Sequence, residues 1–173
     1  MSTYRLAELT DCESIAALHA ESWRQAYRGI LSNDYLDGAI DQDRYAVWTE
    51  RLLDPAVNQR VLLAEEASSL LGFICLFLDE DPIRGTLIDN LHVDPALNGR
   101  GIGAGLLREA MRRFISEASG PGYYLGVYEA NTSAINFYER IGGACIGRER
   151  HDNPDGGEAI ILWYGWGQVM SGE

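Results

Sequence analysis

Three glycines in mid-chain carry the first chemical signal. Residues 90–107 read Asn-Leu-His-Val-Asp-Pro-Ala-Leu-Asn-Gly-Arg-Gly-Ile-Gly-Ala-Gly-Leu-Leu. An apolar strand ends at Val93, Asp94-Pro95 forms a turn, and a helix begins almost on top of the glycines. A strand, a loop of bare amides and a helix N-terminus together make an anion site: backbone N–H groups point outward and the helix dipole adds partial positive charge. Gly99, Gly101 and Gly103 let a ligand approach the main chain closely. The loop is expected to hold a pyrophosphate, with the rest of the chain bringing a second substrate to it.

The second signal is Asn131-Thr-Ser-Ala-Ile-Asn-Phe-Tyr-Glu-Arg-Ile-Gly-Gly. Ala134, Phe137, Tyr138 and Ile141 fall at i, i+3, i+4 and i+7, on one helical stripe. Read alone, Asn131 is a helix N-cap and Tyr138 a core aromatic. The glycine loop alone also admits a different chemistry. Gly99, Gly101 and Ala104 fit G-x-G-x-x-A, and Glu129 follows the next strand, as in a dinucleotide site. Five residues separate Val93 from Gly99, and the motif follows four strands rather than one. Both features count against the dinucleotide reading.

The elements that must position these motifs follow from periodicity and punctuation. Residues 3–8 alternate as a first strand. Asp11 caps a helix to about Gln25, and Asp41 opens a second helix to Leu53, stopped by Asp54-Pro55. Strands follow at 60–66, 70–78 and 86–93; the middle one is apolar on both faces and therefore central. The helix after the loop spans 103–119. Leu106, Leu107, Ala110, Met111, Phe114 and Ile115 form its buried stripe, with Arg108, Arg112 and Arg113 solvated outside it. Gly120-Pro121-Gly122 breaks the chain. A strand at 123–128, a helix from Asn131 to Ile141, and strands at 144–150 and 158–166 around Asn153-Pro-Asp-Gly-Gly complete the pattern. It predicts one α/β domain over residues 1–173, a mixed, mostly antiparallel central sheet with helices on both faces.

A formal net charge of −12 should repel nucleic acid and anionic membranes, so neither is an expected partner. An acidic surface suits a cationic small molecule. No apolar run has the length of a membrane span, and the N-terminus lacks a signal-peptide core, which makes a cytoplasmic location the expectation. Cys12, Cys75 and Cys145 sit singly, with no metal spacing and no disulfide framework; buried free thiols are expected. No metal is expected.

Together, the two motifs resemble those of the GCN5-related N-acetyltransferase (GNAT) superfamily. Its acetyl-CoA motif, a strand followed by (Arg/Gln)-x-x-Gly-x-(Gly/Ala), is matched by Asn98-Gly-Arg-Gly-Ile-Gly, with Asn98 at the Arg/Gln position. Its Asn-x-x-Ala-x-x-Phe-Tyr-x-x-x-Gly motif is complete from Asn131 to Gly142. The resemblance implies an acetyl-CoA-dependent N-acetyltransferase with acetyl-CoA as cosubstrate and a small-molecule or peptide amine as acceptor. It implies that the amides of Gly99, Arg100, Gly101, Gly103 and Ala104, beside Asn98, hold the pyrophosphate. The backbone around Leu91 and Val93 would bond the pantetheine arm as an extra strand does, and Asn131 would lie against it. A homodimer through the late strands is also implied.

Direct transfer requires a neutral amine, a base for its proton, a donor for the thioester oxyanion and a proton for the departing thiolate. By the resemblance, Tyr138 reaches the CoA sulfur and is the acid; a phenol, with pKa about 10, suits that role. Asp89 is the candidate base, since some members place a base near this strand position. It shares strand parity with Leu91 and Val93, whereas His92 points to the opposite face and reads as structural. Gly126 stands where other members carry a Glu base. The resemblance also implies that Tyr27 lines the acceptor pocket, near Tyr35, with Trp23 expected in the core. A non-catalytic acyl-CoA-binding sensor is the second reading, and a dinucleotide-binding oxidoreductase the third.

Overall fold

The structure, a computed structural model, describes residues 2–167. The strands are β1 (Thr3–Leu6), β2 (Gln59–Glu66), β3 (Ser69–Asp81), β4 (Gly85–Val93), β5 (Gly122–Tyr128), β6 (Ala144–Asp152) and β7 (Glu158–Gly167). They form one sheet in the order β1-β2-β3-β4-β5-β7-β6. Every neighbouring pair is antiparallel except β4 and β5. The helices are α1 (Cys12–Ala26), α2 (Ile40–Leu53), α3 (Ile102–Phe114) and α4 (Thr132–Arg140).

Strand β3 separates two cores. Ile74, Leu76 and Leu78 pack with Leu106, Leu107 and Ala110 of α3, and α4 lies on this side through Ala134 and Tyr138. Phe73 and Cys75 pack with Ile15 and Ala16 of α1 and Trp48 of α2. Successive side chains point to opposite faces, so a strand buried on both sides must be apolar throughout. The sheet is thus a partition with α3 and α4 on one side, α1 and α2 on the other.

Several local expectations shift. Helix α3 ends at Phe114, and Ile115 is exposed. Arg113 is not simply solvated: it donates to the Tyr4 carbonyl and pairs with Glu109. Asp11 does not cap α1 with its side chain, because its carboxylate is taken by Arg5 and the Glu8 amide. Asp41 lies inside α2, which continues from a π turn at Tyr35–Ala39. Cys12 and Cys75 are buried, but Cys145 is exposed on β6.

The decisive irregularity is in β4. Cys75 pairs with Asn90, yet the next residue, Leu76, pairs with Ile88. Asp89 is therefore the extra residue of a β-bulge, and the bulge resets side-chain parity. Ile88 and Leu91 both face the α3 core. Asp89 and Asn90 both meet Arg51 of α2. The expected shared parity of Asp89 with Leu91 and Val93 is overturned.

Candidate active site

Beyond the bulge the sheet opens. β4 and β5 pair only at Thr86↔Tyr123 and Leu87↔Tyr124. Among the described residues, 88–93 have no strand partner on that side, while β5 stays zipped to β7 along its whole length. The orientation of the free edge follows from one bond. The Asp94 amide donates to the Leu71 carbonyl at 2.9 Å, across the β3 ladder. Antiparallel main-chain groups alternate in direction, so Asn90 and His92 turn theirs toward β3. Leu91 and Val93 turn theirs into the opening.

The glycine loop sits at the wide end of this opening. Gly99 and Gly101 have φ of 81° and 76°, a region open to glycine at little cost. Gly101 is the N-cap of α3, and the first helical bond runs from the Gly105 amide to the Gly101 carbonyl. The amides of Ile102, Gly103 and Ala104 consequently have no intrahelical acceptor. No acidic residue occupies the first turn, so the helix itself carries no side chain that offsets the positive end of its dipole. A Cβ on Gly103 would touch Phe137 and Val93, which brings the loop, α4 and the end of β4 together. The Arg100 amide makes a long 3.4 Å bond to the Leu97 carbonyl, and its side chain lies 3.8 Å from Glu66. Asn98 is exposed and closes a short turn at Pro95–Leu97.

Helix α4 presents the second motif to the same opening. The Asn131 side chain accepts from the Ala134 amide at 3.2 Å, the expected N-cap. Tyr138 is half-buried between Phe137 and Trp166, and its hydroxyl has no hydrogen-bond partner among the described residues. Burial pushes this phenol up to about 12. Tyr27, at the end of α1, packs edge-on against Tyr128 of β5 at 4.9 Å. Burial first, then the neighbouring Tyr138 and Tyr128, raises its pKa. The two phenols therefore come within electrostatic reach although their helices lie on opposite faces of the sheet.

On the α1/α2 side, β4 meets a cluster that the sequence reading did not assemble. Arg51 donates from Nη1 to Asp89 Oδ2 at 2.7 Å and to Asn90 Oδ1 at 3.0 Å. His92 faces away from Leu91 and Val93, as its parity predicts: its Nδ1 lies 2.8 Å from the Ser22 hydroxyl, and its ring lies 4.4 Å from that of His19. Trp48 donates to His19 Nδ1 at 2.9 Å. Burial drives His92 down to about 3, with Arg44 adding to the effect, and holds His19 well below its ordinary value. Trp23 is half-buried and packs against the small core of Leu31, Leu36 and Ile40, with the Arg44 guanidinium 4.4 Å above its ring. A signal for this cluster existed in the spacing. Arg44, Trp48 and Arg51 stand at i, i+4 and i+7, and Ile15, His19 and Ser22 repeat that spacing on α1.

Relatives share this frame. The acetyltransferase (GNAT) family model matches residues 15–143. The chain belongs to the GNAT acetyltransferase family. The crystal structure of the PaiA N-acetyltransferase of Thermoplasma acidophilum, in complex with coenzyme A, matches with a TM-score of 0.75. Its identity is 21%, over 96% of this chain and 99% of that one. yncA of Salmonella typhimurium, with its cofactor acetyl-CoA, matches with a TM-score of 0.67 at 18% identity, over 96% and 94%. The peptidyl-lysine N-acetyltransferase YjaB of Salmonella typhimurium is 34% identical over 71 residues. That match covers 41% of this chain and 45% of YjaB, less than half its length.

Membership of GNAT removes the dinucleotide alternative, and the mostly antiparallel sheet agrees. The remaining candidates fall outside the opening. Glu129 pairs with Arg148 on the exposed surface. A side chain at Gly126 would press against Ile161 and Trp163 at 3.1 Å. Asp155, in the β6–β7 turn, accepts from the Ser32 amide at 2.6 Å and ties that turn to the α1–α2 loop. No helix among the described residues is long and apolar enough to cross a membrane.

Proposed function

We propose that this GNAT protein is an acetyl-CoA-dependent N-acetyltransferase that moves an acetyl group directly to an amine. The observation that carries the proposal is the free main-chain edge of Leu91 and Val93, lying between a bare helix N-terminus and an unbonded phenol. The residues present fit the cosubstrate. The amides of Gly103 and Ala104, with those of Gly99 and Gly101, would receive the pyrophosphate; Asn98 and Arg100 flank it. The Leu91 and Val93 edge would receive the pantetheine amides, with Asn131 beside it.

Bound acetyl-CoA supplies an activated thioester carbonyl. The chain's own groups do the rest. A backbone N–H of the Leu91–Val93 edge donates to the carbonyl oxygen as it gains charge. Tyr138 holds its proton across the physiological range and presents it to the thiolate that leaves. Asp89 uses Oδ2 for Arg51, leaving Oδ1 to take the ammonium proton, directly or through water. Tyr27 lines the acceptor side. All 14 basic residues are Arg, so no lysine side chain of the chain competes as an acceptor. A cytoplasmic site of reaction is part of this reading. A second copy would join at β6, the edge strand of the sheet.

The test is free-thiol release from acetyl-CoA with a broad panel of amines. Amine-dependent thiol release together with an acetylated amine is expected. CoA binding with no release for any amine would leave the non-catalytic sensor in its place.

A further inference from the structure

We propose that the acyl acceptor carries its own carboxylate and that Arg44 binds it. The inference rests on the acetyltransferase reading and narrows its substrate class.

Four arginines stand on the α1/α2 side. Arg24 is closed by Asp41, Arg28 by Asp37, and Arg51 by Asp89 and Asn90. Arg44 is the exception. Its one ion pair among the described residues runs from Nη2 to the adjacent Asp43, at 3.3 Å, and that carboxylate already accepts from the Tyr35 hydroxyl. Arg44 is also the least exposed of the four: its side chain is 12% accessible, against 24%, 26% and 42% for Arg24, Arg51 and Arg28. The Asp43 carboxylate is shared with Tyr35 and leaves the buried Arg44 Nε without a partner, although a chain of net charge −12 has carboxylates to spare. The arrangement is accounted for if a second anion arrives with the substrate.

The surroundings are built for an acceptor-only group. Among the described residues four buried side-chain nitrogens have no hydrogen-bond partner; three are Arg44 Nε, Trp23 Nε1 and His19 Nε2. All three are donors. His19 Nδ1 accepts from Trp48, so the ring proton sits on Nε2. The three groups stack on one another: Arg44 over Trp23 at 4.4 Å, and His19 edge-on to Trp23 at 4.9 Å. His92 and His19 are held neutral, so Arg44 is the cation of the cluster. Cation, N–H donors and no free base are what a carboxylate needs. A peptide lysine brings a second cation and no anion.

The test compares matched acceptors: L-phenylalanine and L-leucine, their carboxamides, and ω-amino acids of increasing length. The carboxamides have the less basic amines, so intrinsic reactivity near neutral pH favours them. A higher kcat/KM for the free acids is nonetheless expected. Arg44→Gln should reduce the acid-to-amide ratio at least about ten-fold, the size of a charge-assisted hydrogen bond. Arg44→Lys should restore part of it. Equal use of acid and amide, preference for an Nα-blocked lysine peptide, or a ratio that survives Arg44→Gln would overturn the proposal. Calorimetric binding of the same amino acids to CoA-saturated protein gives the same comparison without turnover. Absence of transfer to every amine therefore counts against the transferase reading, while binding of the acids that is insensitive to Arg44→Gln counts against this one.

Discussion

Asp89 Oδ2 lies 2.7 Å from Arg51 Nη1, and this bond exists because Asp89 is the extra residue of the β4 bulge. One inserted position turns the carboxylate away from the α3 core and toward α2. The same bulge stands where β4 parts from β5. The candidate base and the opening for the donor thus have one structural origin.

Asp89→Asn should lower kcat about 10²–10⁴-fold, the range for losing a positioned general base, with little change in CoA affinity. Steady-state thiol release beside calorimetry measures both. Arg51→Gln is the informative partner variant. It leaves the carboxylate in place but unanchored, and should lower kcat less than Asp89→Asn does.

Tyr138→Phe should reduce turnover more than CoA affinity, since the hydroxyl makes no structural hydrogen bond among the described residues. Burial pushes the phenol to about 12, so wild-type kcat should show no descending alkaline limb from this group below pH about 10. A limb near pH 8–9 that disappears in Tyr138→Phe would contradict the assignment.

Gly101→Ala should destabilise the fold by about 1 kcal/mol or more, because φ of 76° is costly for a residue with a Cβ. Nothing lies within 4 Å of that Cβ, so the penalty is conformational and not steric. CoA affinity should fall too, as the loop relaxes away from the helix amides. Thermal melts and calorimetry separate the two effects.

Buried His19 and half-buried His92 predict an acid sensitivity of stability. His19 and His92 stay neutral in the fold but take a proton near pH 6.5 when unfolded. The unfolded state then binds more protons, so stability falls as pH drops below about 6.5 and keeps falling toward the folded-state value, about 3 for His92. Each histidine contributes a slope of up to about 1.4 kcal/mol per pH unit. Denaturant melts between pH 7 and 4.5 should show the slope, and His92→Gln should make it shallower.

What was legible in the sequence was local. The glycine loop, the Asn131 cap and the β6–β7 hairpin turn depend on residues within a few positions of each other. The sheet class followed from period-2 apolar runs such as β3. The bulge was not legible, because a bulge is defined by the partner strand: only the pairing of Cys75 and Leu76 reveals Asp89 as extra. Counting parity along β4 alone therefore put Asp89 on the wrong face. The cluster of His19, Trp23, Arg44 and His92 was missed for a related reason. Its members come from α1, α2 and β4, and their helical spacing indicates a shared stripe without saying what that stripe meets. Cys145 was misjudged because β6 is an edge strand, with one side of the ladder unpaired.

Amide hydrogen exchange along β4, with and without saturating acetyl-CoA, tests the central claim most directly. Asn90 and His92 already bond to β3 and should change little. Leu91 and Val93 face the opening, and their exchange should slow when the pantetheine arm takes the free edge. Unchanged exchange at Leu91 and Val93 under demonstrated saturation would contradict the account.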